Sequence, residues 1–182
     1  GLGDVYKRQV IAYTNLGMAY VSIKKVPEAK KNYLKAIEID PENLLANYNL
    51  ANLLKRLGDH KNSEKFYKKA IEINPNHLPS YNNMMDLYDK SNQNDKLSNL
   101  INGAEIIFKN DQVIKSFKAK LLFKIKNYKE VVSLLEKTEY LPEQIIQKQA
   151  SYEVLAKSYD KLGDYYNAFK LFQMLKNIIF LL

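Results

Sequence analysis

A seven-residue segment of this chain recurs after 34 positions, and that spacing constrains the fold more than any other feature of the sequence. Residues 35–41 read KAIEIDP, and residues 69–75 read KAIEINP. A second motif, LGD, stands at 57–59 and again at 162–164. A fixed period of about 20–50 residues is typical of folds that stack one small structural unit many times. The chain is therefore predicted to be a repeat array.

A 34-residue period that starts at Val10 accounts for all of the sequence beyond residue 9. It requires one insertion of three residues, at 146–148. The array is predicted to form one domain over 10–182. Its five blocks are 10–43, 44–77, 78–111, 112–145 and 149–182.

The pattern within a block predicts two helices. Over 13–20 and again over 29–36, apolar and small residues recur at spacings of three, four and seven, which is one face of an α-helix. Pro41 and Pro75 follow the second stretch of their blocks, where proline ends a helix because it lacks a backbone N–H. Each block is therefore predicted to be a helical hairpin. One hairpin cannot bury both of its faces, so the five are expected to stack.

Composition removes several other classes of protein. The 182 residues include six Gly and five Pro, too few for the many tight turns of a β-sandwich or a β-barrel. Cysteine is absent, which excludes disulfides, thiolate metal ligands and thiol nucleophiles. The sequence contains no apolar run of about 18 residues, so no membrane-spanning helix is predicted.

The blocks resemble the tetratricopeptide repeat family. The first block carries residues of that family's pattern at Tyr13, Leu16, Gly17, Tyr20, Ala29, Tyr33, Ala36 and Pro41. The second and fifth blocks keep most of the pattern, whereas the third and fourth are degenerate and lack the closing proline. The resemblance implies an all-α fold, a right-handed α-solenoid of five helical hairpins.

The two ends of the chain depart from the repeat. Residues 1–9, GLGDVYKRQ, lie outside the period and resemble a translated sequencing-adapter remnant. We expect them to be a non-native or disordered leader, with an ordinary N-terminal extension as the alternative. The last six residues, NIIFLL, are almost wholly apolar, whereas a complete array ends in a polar capping helix. Either the chain continues beyond them, or they pack against the fifth hairpin's own neighbour.

No pattern of catalytic or metal-binding residues is found. The only histidines, His60 and His77, are expected to be exposed at the ends of predicted helices, without a matching cluster of carboxylates. Asp86 and Asp89 lie one helical turn apart and are expected to form a solvated face instead of an acid–base pair. The sequence therefore predicts a protein that is not an enzyme and holds neither a cofactor nor a metal.

An asparagine recurs at the sixth position of the first three blocks, as Asn15, Asn49 and Asn83. In the family that the chain resembles, this position of each first helix faces a concave groove, so the resemblance implies a ladder of asparagines. An asparagine side chain donates and accepts hydrogen bonds and can pair with the backbone of an extended peptide. First helices about 10 Å apart would match roughly three residues of such a peptide. The alternative is that asparagine is simply common at this position in the family.

The resemblance implies further peptide-binding residues in the same groove. These candidates are Tyr48, Asn52, Lys55, Arg56, Asn82, Lys120 and Lys124. One subtype of the family clamps acidic C-terminal tails with asparagines and cations. Asn52 and Asn83 match its asparagines, but Tyr48 and Phe117 stand where it has cations, which argues against that mode.

The charge of the chain bears on its partner. Its 28 Lys+Arg exceed its 20 Asp+Glu by eight, which reflects either a bias in coding composition or an acidic partner. Only Arg8 and Arg56 are arginines, the side chains best suited to contacts with phosphates and bases, so nucleic acid binding is disfavoured.

Together these features predict a cytoplasmic scaffold for protein–protein interaction. Its partner would be a protein or peptide, acidic on one interpretation of the charge. It would bind as an extended peptide or a helix in the groove. The alternatives are a repeat fragment of a larger enzyme, such as a glycosyltransferase, kinase or peptidase, and an assembly protein of the cell envelope.

Overall fold

A computed structural model describes the backbone of residues 2–179. Over that range the chain forms ten α-helices and one 3-10 turn at Pro142–Gln144, with no β-strand. This confirms the predicted all-α fold of stacked hairpins. The helices are α1 Leu2–Ser22, α2 Val26–Ile39, α3 Leu44–Arg56, α4 His60–Ile73, α5 Leu78–Lys90, α6 Asn94–Ile107, α7 Gln112–Lys124, α8 Tyr128–Leu135, α9 Ile145–Leu162 and α10 Tyr165–Ile179.

The chain divides into two compact units, Gly1–Ser91 and Asn92–Leu182. The first unit holds α1 to α5. Each of these helices packs on the next along the chain, and α3 also contacts both α1 and α5. The first helices of successive blocks therefore lie side by side in this unit. The second unit holds α6 to α10, and α9 packs on α7, α8 and α10.

The close approach of α1 and α2 depends on a missing side chain. A Cβ added to Gly17 would overlap the ring of Tyr33, which is 2% exposed. Ala29 and Ala36 present equally small surfaces from α2, and both are fully buried. These residues meet apolar side chains of α3, among them Leu50, so the hairpin buries its second face against the next block.

In the second unit, two helices differ in length from their counterparts in the first unit, and these differences account for the departures from the 34-residue period. Helix α8 has only eight residues, whereas α2 and α4 have 14 each. Helix α9 has 18 residues and begins at Ile145, so the insertion at 146–148 lengthens this helix and makes no loop. The core around these helices contains Ala119, Leu122, Val131, Leu135, Leu155, Tyr159 and Ala168.

The predicted leader is part of a helix. Residues 2–9 form the beginning of α1 with the side chains of 3–9 exposed, which differs from the expectation of a disordered segment. That these residues are non-native stays a prediction. The sequence also supports a prediction about the apolar last six residues, 177–182. Their side chains lie outside the described residues. Among the described helices, none combines the length and apolar composition that crossing a bilayer requires.

The turn between the two helices of every block contains one residue in the left-handed region. These residues are Lys24, Gly58, Asn92, Lys126 and Gly163, with φ between 54° and 81°. The turn thus explains the repeated LGD motif, because glycine adopts a positive φ without the steric penalty of a Cβ. At the other three turns a residue with a side chain adopts the same left-handed backbone conformation.

Replacing Lys24 or Lys126 with glycine should therefore stabilise the protein. The left-handed conformation costs a residue with a side chain about 1–2 kcal/mol, and the added freedom of glycine in the unfolded chain offsets about 0.5–1 kcal/mol of that gain. We expect a net rise of about 0.5–1 kcal/mol in the free energy of unfolding, measured with urea. As a control, Lys31→Gly within α2 should lower it by about 1 kcal/mol. Equal losses at the three positions would contradict the argument.

Candidate functional site

The first helices of the first unit carry the recurring asparagine as the period requires, but the three residues are not equivalent. Asn15 is exposed on α1, and Asn49 is half-buried on α3. Neither side chain has a hydrogen-bonding partner among the described residues. Asn83, on α5, is bonded to several side chains of its own unit. The structure therefore leaves two of the three asparagines without an internal hydrogen bond and engages the third.

Asn83 lies at the centre of a group of hydrogen-bonded side chains from α3, α4 and α5. Its amide nitrogen donates to the hydroxyl of Tyr48 at 2.9 Å and to Oδ1 of Asn52 at 3.0 Å. The hydroxyl of Tyr67 donates to the same oxygen of Asn52 at 2.5 Å. Both donors of the Asn83 amide are thus used within the protein, and Tyr48 and Asn52 are fixed by the same bonds.

Lys55 joins this group to a carboxylate. Its ammonium donates to Oδ1 of Asn83 at 3.3 Å and to Oδ2 of Asp86 at 3.0 Å. Lys90 pairs with the other oxygen of Asp86 at 2.9 Å. We call Tyr48, Asn52, Lys55, Tyr67, Asn83 and Asp86 the Asn83 network. Because Asp86 binds two lysines, its charge is compensated inside the protein, and the expected solvated face is a structural ion-pair site.

The surroundings of Asp86 change its titration. Partial burial by itself would raise the pKa of this carboxyl group, but hydrogen bonds from Lys90 and Lys55 outweigh the burial and hold the pKa below its ordinary value of 3.8. A carboxylate whose pKa is lowered by folding stabilises the folded state above that ordinary value, and this contribution is lost as the pH falls below it.

His77 also differs from its expected place. It is half-buried at the start of α5, where its ring meets the ring of Tyr48 edge to face with centroids 4.9 Å apart. Its Nδ1 lies 2.8 Å from the hydroxyl of Ser80. Burial lowers the pKa of His77, which favours the neutral ring at neutral pH. The expectation of an exposed histidine was wrong, because the turn before α5 packs this ring against α3.

A cleft lies between α1 and α3, beside the Asn83 network. Its volume is about 300 Å³, and its lining residues are Met18, Val21, Tyr33, Asn49, Asn52, Leu53 and Arg56. Its wall is largely apolar, with the polar groups supplied by α3. Met18 is 50% exposed, and Arg56 is exposed without a hydrogen bond or an ion pair to any described residue.

Sequence reasoning named Asn49, Asn52 and Arg56 in this cleft but missed its apolar wall. Met18 precedes Asn52 by 34 positions, and Val21 precedes Lys55 by 34. The period that aligned the asparagines could therefore have placed both residues in the groove. We call the space lined by these side chains the α1–α3 cleft.

The remaining candidates are not among the residues that line the cleft. The amide oxygen of Asn82, on α5, is buried without a hydrogen-bonding partner among the described residues. Lys120 and Lys124 belong to α7 in the second unit. The ammonium of Lys120 lies 5.5 Å from the centroid of the Phe117 ring, and Lys124 is exposed and donates to Asn92 at 3.4 Å. Within the described part of the chain, no three acidic or histidine side chains come together as a metal site would require.

Two family models match the chain. A model of the tetratricopeptide repeat covers residues 44–77, and a second, described as TPR repeat, covers 17–58. No curated protein matches the sequence significantly. The matched residues, 17–77, include all of the side chains that line the cleft and four of the six members of the Asn83 network, so the resemblance noted in the sequence is confirmed for this part of the chain.

Solved structures share the fold at low sequence identity. MamA from Desulfovibrio magneticus is 12% identical, with a TM-score of 0.76 over 93% of this chain and 94% of its own. A tetratricopeptide repeat protein from Parabacteroides merdae is 20% identical, with a TM-score of 0.72 over 92% of this chain and 64% of its own. YrrB, described as a TPR protein with an unusual peptide-binding site, is 17% identical, with a TM-score of 0.71 over 93% and 86%. Tetratricopeptide repeat models thus match residues 17–77, and this match supports a protein-interaction scaffold in general.

Removing the centre of the Asn83 network should destabilise the fold. In Asn83→Ala the part-buried groups of Tyr48 and Asn52 lose a partner, and such a loss costs about 1–2 kcal/mol. Asn15→Ala removes an exposed side chain without partners and should change the free energy of unfolding by less than about 0.5 kcal/mol. Urea unfolding monitored by circular dichroism measures both. Equal effects of the two substitutions would show that the network contributes nothing.

The ion pairs of Asp86 give the stability a dependence on pH. At neutral pH, Asp86→Asn should unfold at a lower urea concentration than the original protein, because both lysines lose their counter-charge. The gap between the two should narrow as the pH falls below 3.8, where the carboxylate of the original protein becomes protonated. Urea midpoints measured between about pH 3 and 7 test this, and a gap that stays constant would contradict it.

Proposed function

We propose that this chain, of which residues 17–77 match tetratricopeptide repeat models, is an interaction scaffold whose first unit binds an extended peptide of a partner protein across α1 and α3. The observation that carries the proposal is the α1–α3 cleft, with unpartnered asparagines on both of the helices that border it. Asn15 and Asn49 would hold the backbone of the peptide, and the cleft would receive one of its side chains.

Asparagine suits this task because its amide matches a peptide unit. Its oxygen accepts a hydrogen bond from a backbone N–H, and its nitrogen donates to a backbone carbonyl. Asn15 and Asn49 lie on helices in contact, and packed helices are about 10 Å apart. That separation corresponds to roughly three residues of an extended chain. Two asparagines could therefore bind peptide units three residues apart, whatever the side chains of the peptide are.

The Asn83 network supports the same surface in another way. Its bonds fix Tyr48, Asn52 and Lys55 of α3 against α5. Side chains locked before binding lose less conformational entropy when the ligand arrives, which favours affinity. In this proposal Asn83 holds the binding helix in place, and its own contact with a peptide would require the loss of existing hydrogen bonds.

The net positive charge of the chain supports an acidic partner. Lys55 is already paired with Asp86, whereas Arg56 is exposed and unpaired among the described residues. Lys120 and Lys124 in the second unit would attract acidic stretches of a partner at long range. Exposed charges of this kind raise the rate of association more than the lifetime of a complex, and salt screens them.

The test is a selection of displayed random peptides on the immobilised protein, followed by affinity measurements in solution. For a selected peptide, Asn49→Ala should weaken binding by about 1–2 kcal/mol, because a buried peptide group loses its hydrogen bond. Asn99→Ala, at an exposed site on α6, is the matched control and should leave affinity unchanged. If Asn49→Ala lowers the melting temperature but leaves affinity intact, this residue is structural and the proposed surface is wrong.

A further inference from the structure

The α1–α3 cleft combines an apolar wall with a single unpaired cation. We propose that it selects peptides in which an apolar side chain is followed or preceded closely by an acidic one. The apolar side chain would lie against Met18, Val21 and Leu53, and the carboxylate would pair with Arg56. This inference rests on the peptide-binding function proposed above and adds the sequence preference of the site.

The cleft has room for an apolar side chain of an extended peptide. Its volume of about 300 Å³ is at the lower limit of pockets that bind small molecules. A partner helix would need a longer groove, because its apolar face spans several turns. One leucine, isoleucine or methionine from an extended peptide is an occupant of suitable size, which agrees with backbone recognition by asparagines on either side.

The surface of the cleft favours an apolar occupant. Leu53 and Tyr33 form its floor and are only 3% and 2% exposed, so they are already packed and rigid. Met18 stands at the edge with half of its surface exposed. Methionine is unbranched and polarisable, so it can adapt its shape to an incoming side chain. Binding would bury this exposed apolar surface together with that of the peptide.

The charges around the cleft favour an acidic neighbour. Neither 12–25 nor 43–58 contains an aspartate or glutamate, and these segments carry four cations, Lys24, Lys25, Lys55 and Arg56. Asp59 follows directly, but its carboxylate accepts hydrogen bonds from Asn62 at the start of α4.

Of these cations, Arg56 is the one that lines the cleft with no partner among the described residues. A guanidinium binds a carboxylate through two parallel hydrogen bonds, so Arg56 can fix the orientation of the acidic residue as well as its charge. The occupant that matches both groups is a short extended segment with adjacent apolar and acidic residues.

The first test measures the sequence preference of the cleft by peptide selection. Random nonapeptides displayed on phage are selected on the full chain, and the enriched sequences are compared with the starting library. We expect leucine, isoleucine or methionine within two positions of aspartate or glutamate. Selection on Met18→Gln should lose the apolar preference, because glutamine keeps the length and helix propensity of methionine but makes the wall polar.

A double-mutant cycle tests the ion pair. A selected peptide and its Asp→Asn or Glu→Gln derivative are titrated against the original protein and against Arg56→Gln. Each single change should weaken binding about threefold to fivefold, the effect of one exposed ion pair. The two changes together should weaken it no further than either alone. Lys61→Gln, at an exposed lysine of α4, is the matched control and should leave the dissociation constant unchanged.

The outcomes separate this inference from the function on which it rests. Failure to enrich any peptide would overturn both. Peptides that bind and depend on Asn49, but show no apolar–acidic pairing, would leave the function standing and overturn the preference. Additive losses in the cycle would likewise remove Arg56 from the site, since independent groups do not couple.

Discussion

The close approach of two helices within a hairpin is the constraint on which the arrangement of the first unit depends. Gly17 allows the ring of Tyr33 to lie against the backbone of α1. In the next block Ala51 is fully buried, and the hydroxyl of Ser63 donates to its carbonyl at 2.9 Å, so α4 also reaches the backbone of α3. Because the two helices approach closely in both hairpins, the hairpins can stack at a regular interval. The 34-residue period of the sequence therefore spaces the first helices regularly. Residues at the same position of successive blocks then occupy equivalent positions on these helices.

Regular spacing aligns residues but does not decide what they do. Asn49 and Asn83 occupy the same position of successive blocks, yet only Asn83 has neighbours that satisfy its amide. Those neighbours are Tyr48 and Asn52 from the preceding first helix. One block earlier, the residues equivalent to Tyr48 and Asn52 are Thr14 and Met18, and the hydroxyl of Thr14 donates to its own helix at Val10. Asn49 is left unpartnered because the first block supplies no matching polar side chains.

The same distinction explains what the sequence could and could not predict. Periodicity predicted the helices and their hairpins, since each depends on residues close together in the chain or on the period itself. The positions that face a groove were implied only by the family resemblance, and they stay a prediction. The LGD motif served only as evidence of the repeat, and the left-handed backbone of Lys24 or Lys126 has no local signal in the residue type. The pairing of Lys55 with Asp86 joins residues 31 positions apart. Such pairing, like the burial of His77, depends on side-chain geometry between helices, which a pattern of residue types does not contain.

Two adjacent cations on α3 show how this geometry assigns roles. Lys55 points to α5, where Asp86 compensates its charge, and a lysine held in this way adds rigidity but little attraction for a ligand. Arg56, one residue later, is rotated about 100° around the helix axis and lines the cleft instead. Adjacent residues of one helix thus take different roles: Lys55 is a structural cation, and Arg56 is a cation available to a ligand. The surface available for recognition consists of the groups that the stacking of hairpins leaves unpartnered. In the first unit those groups border the α1–α3 cleft, where an apolar wall and the unpaired guanidinium of Arg56 coincide.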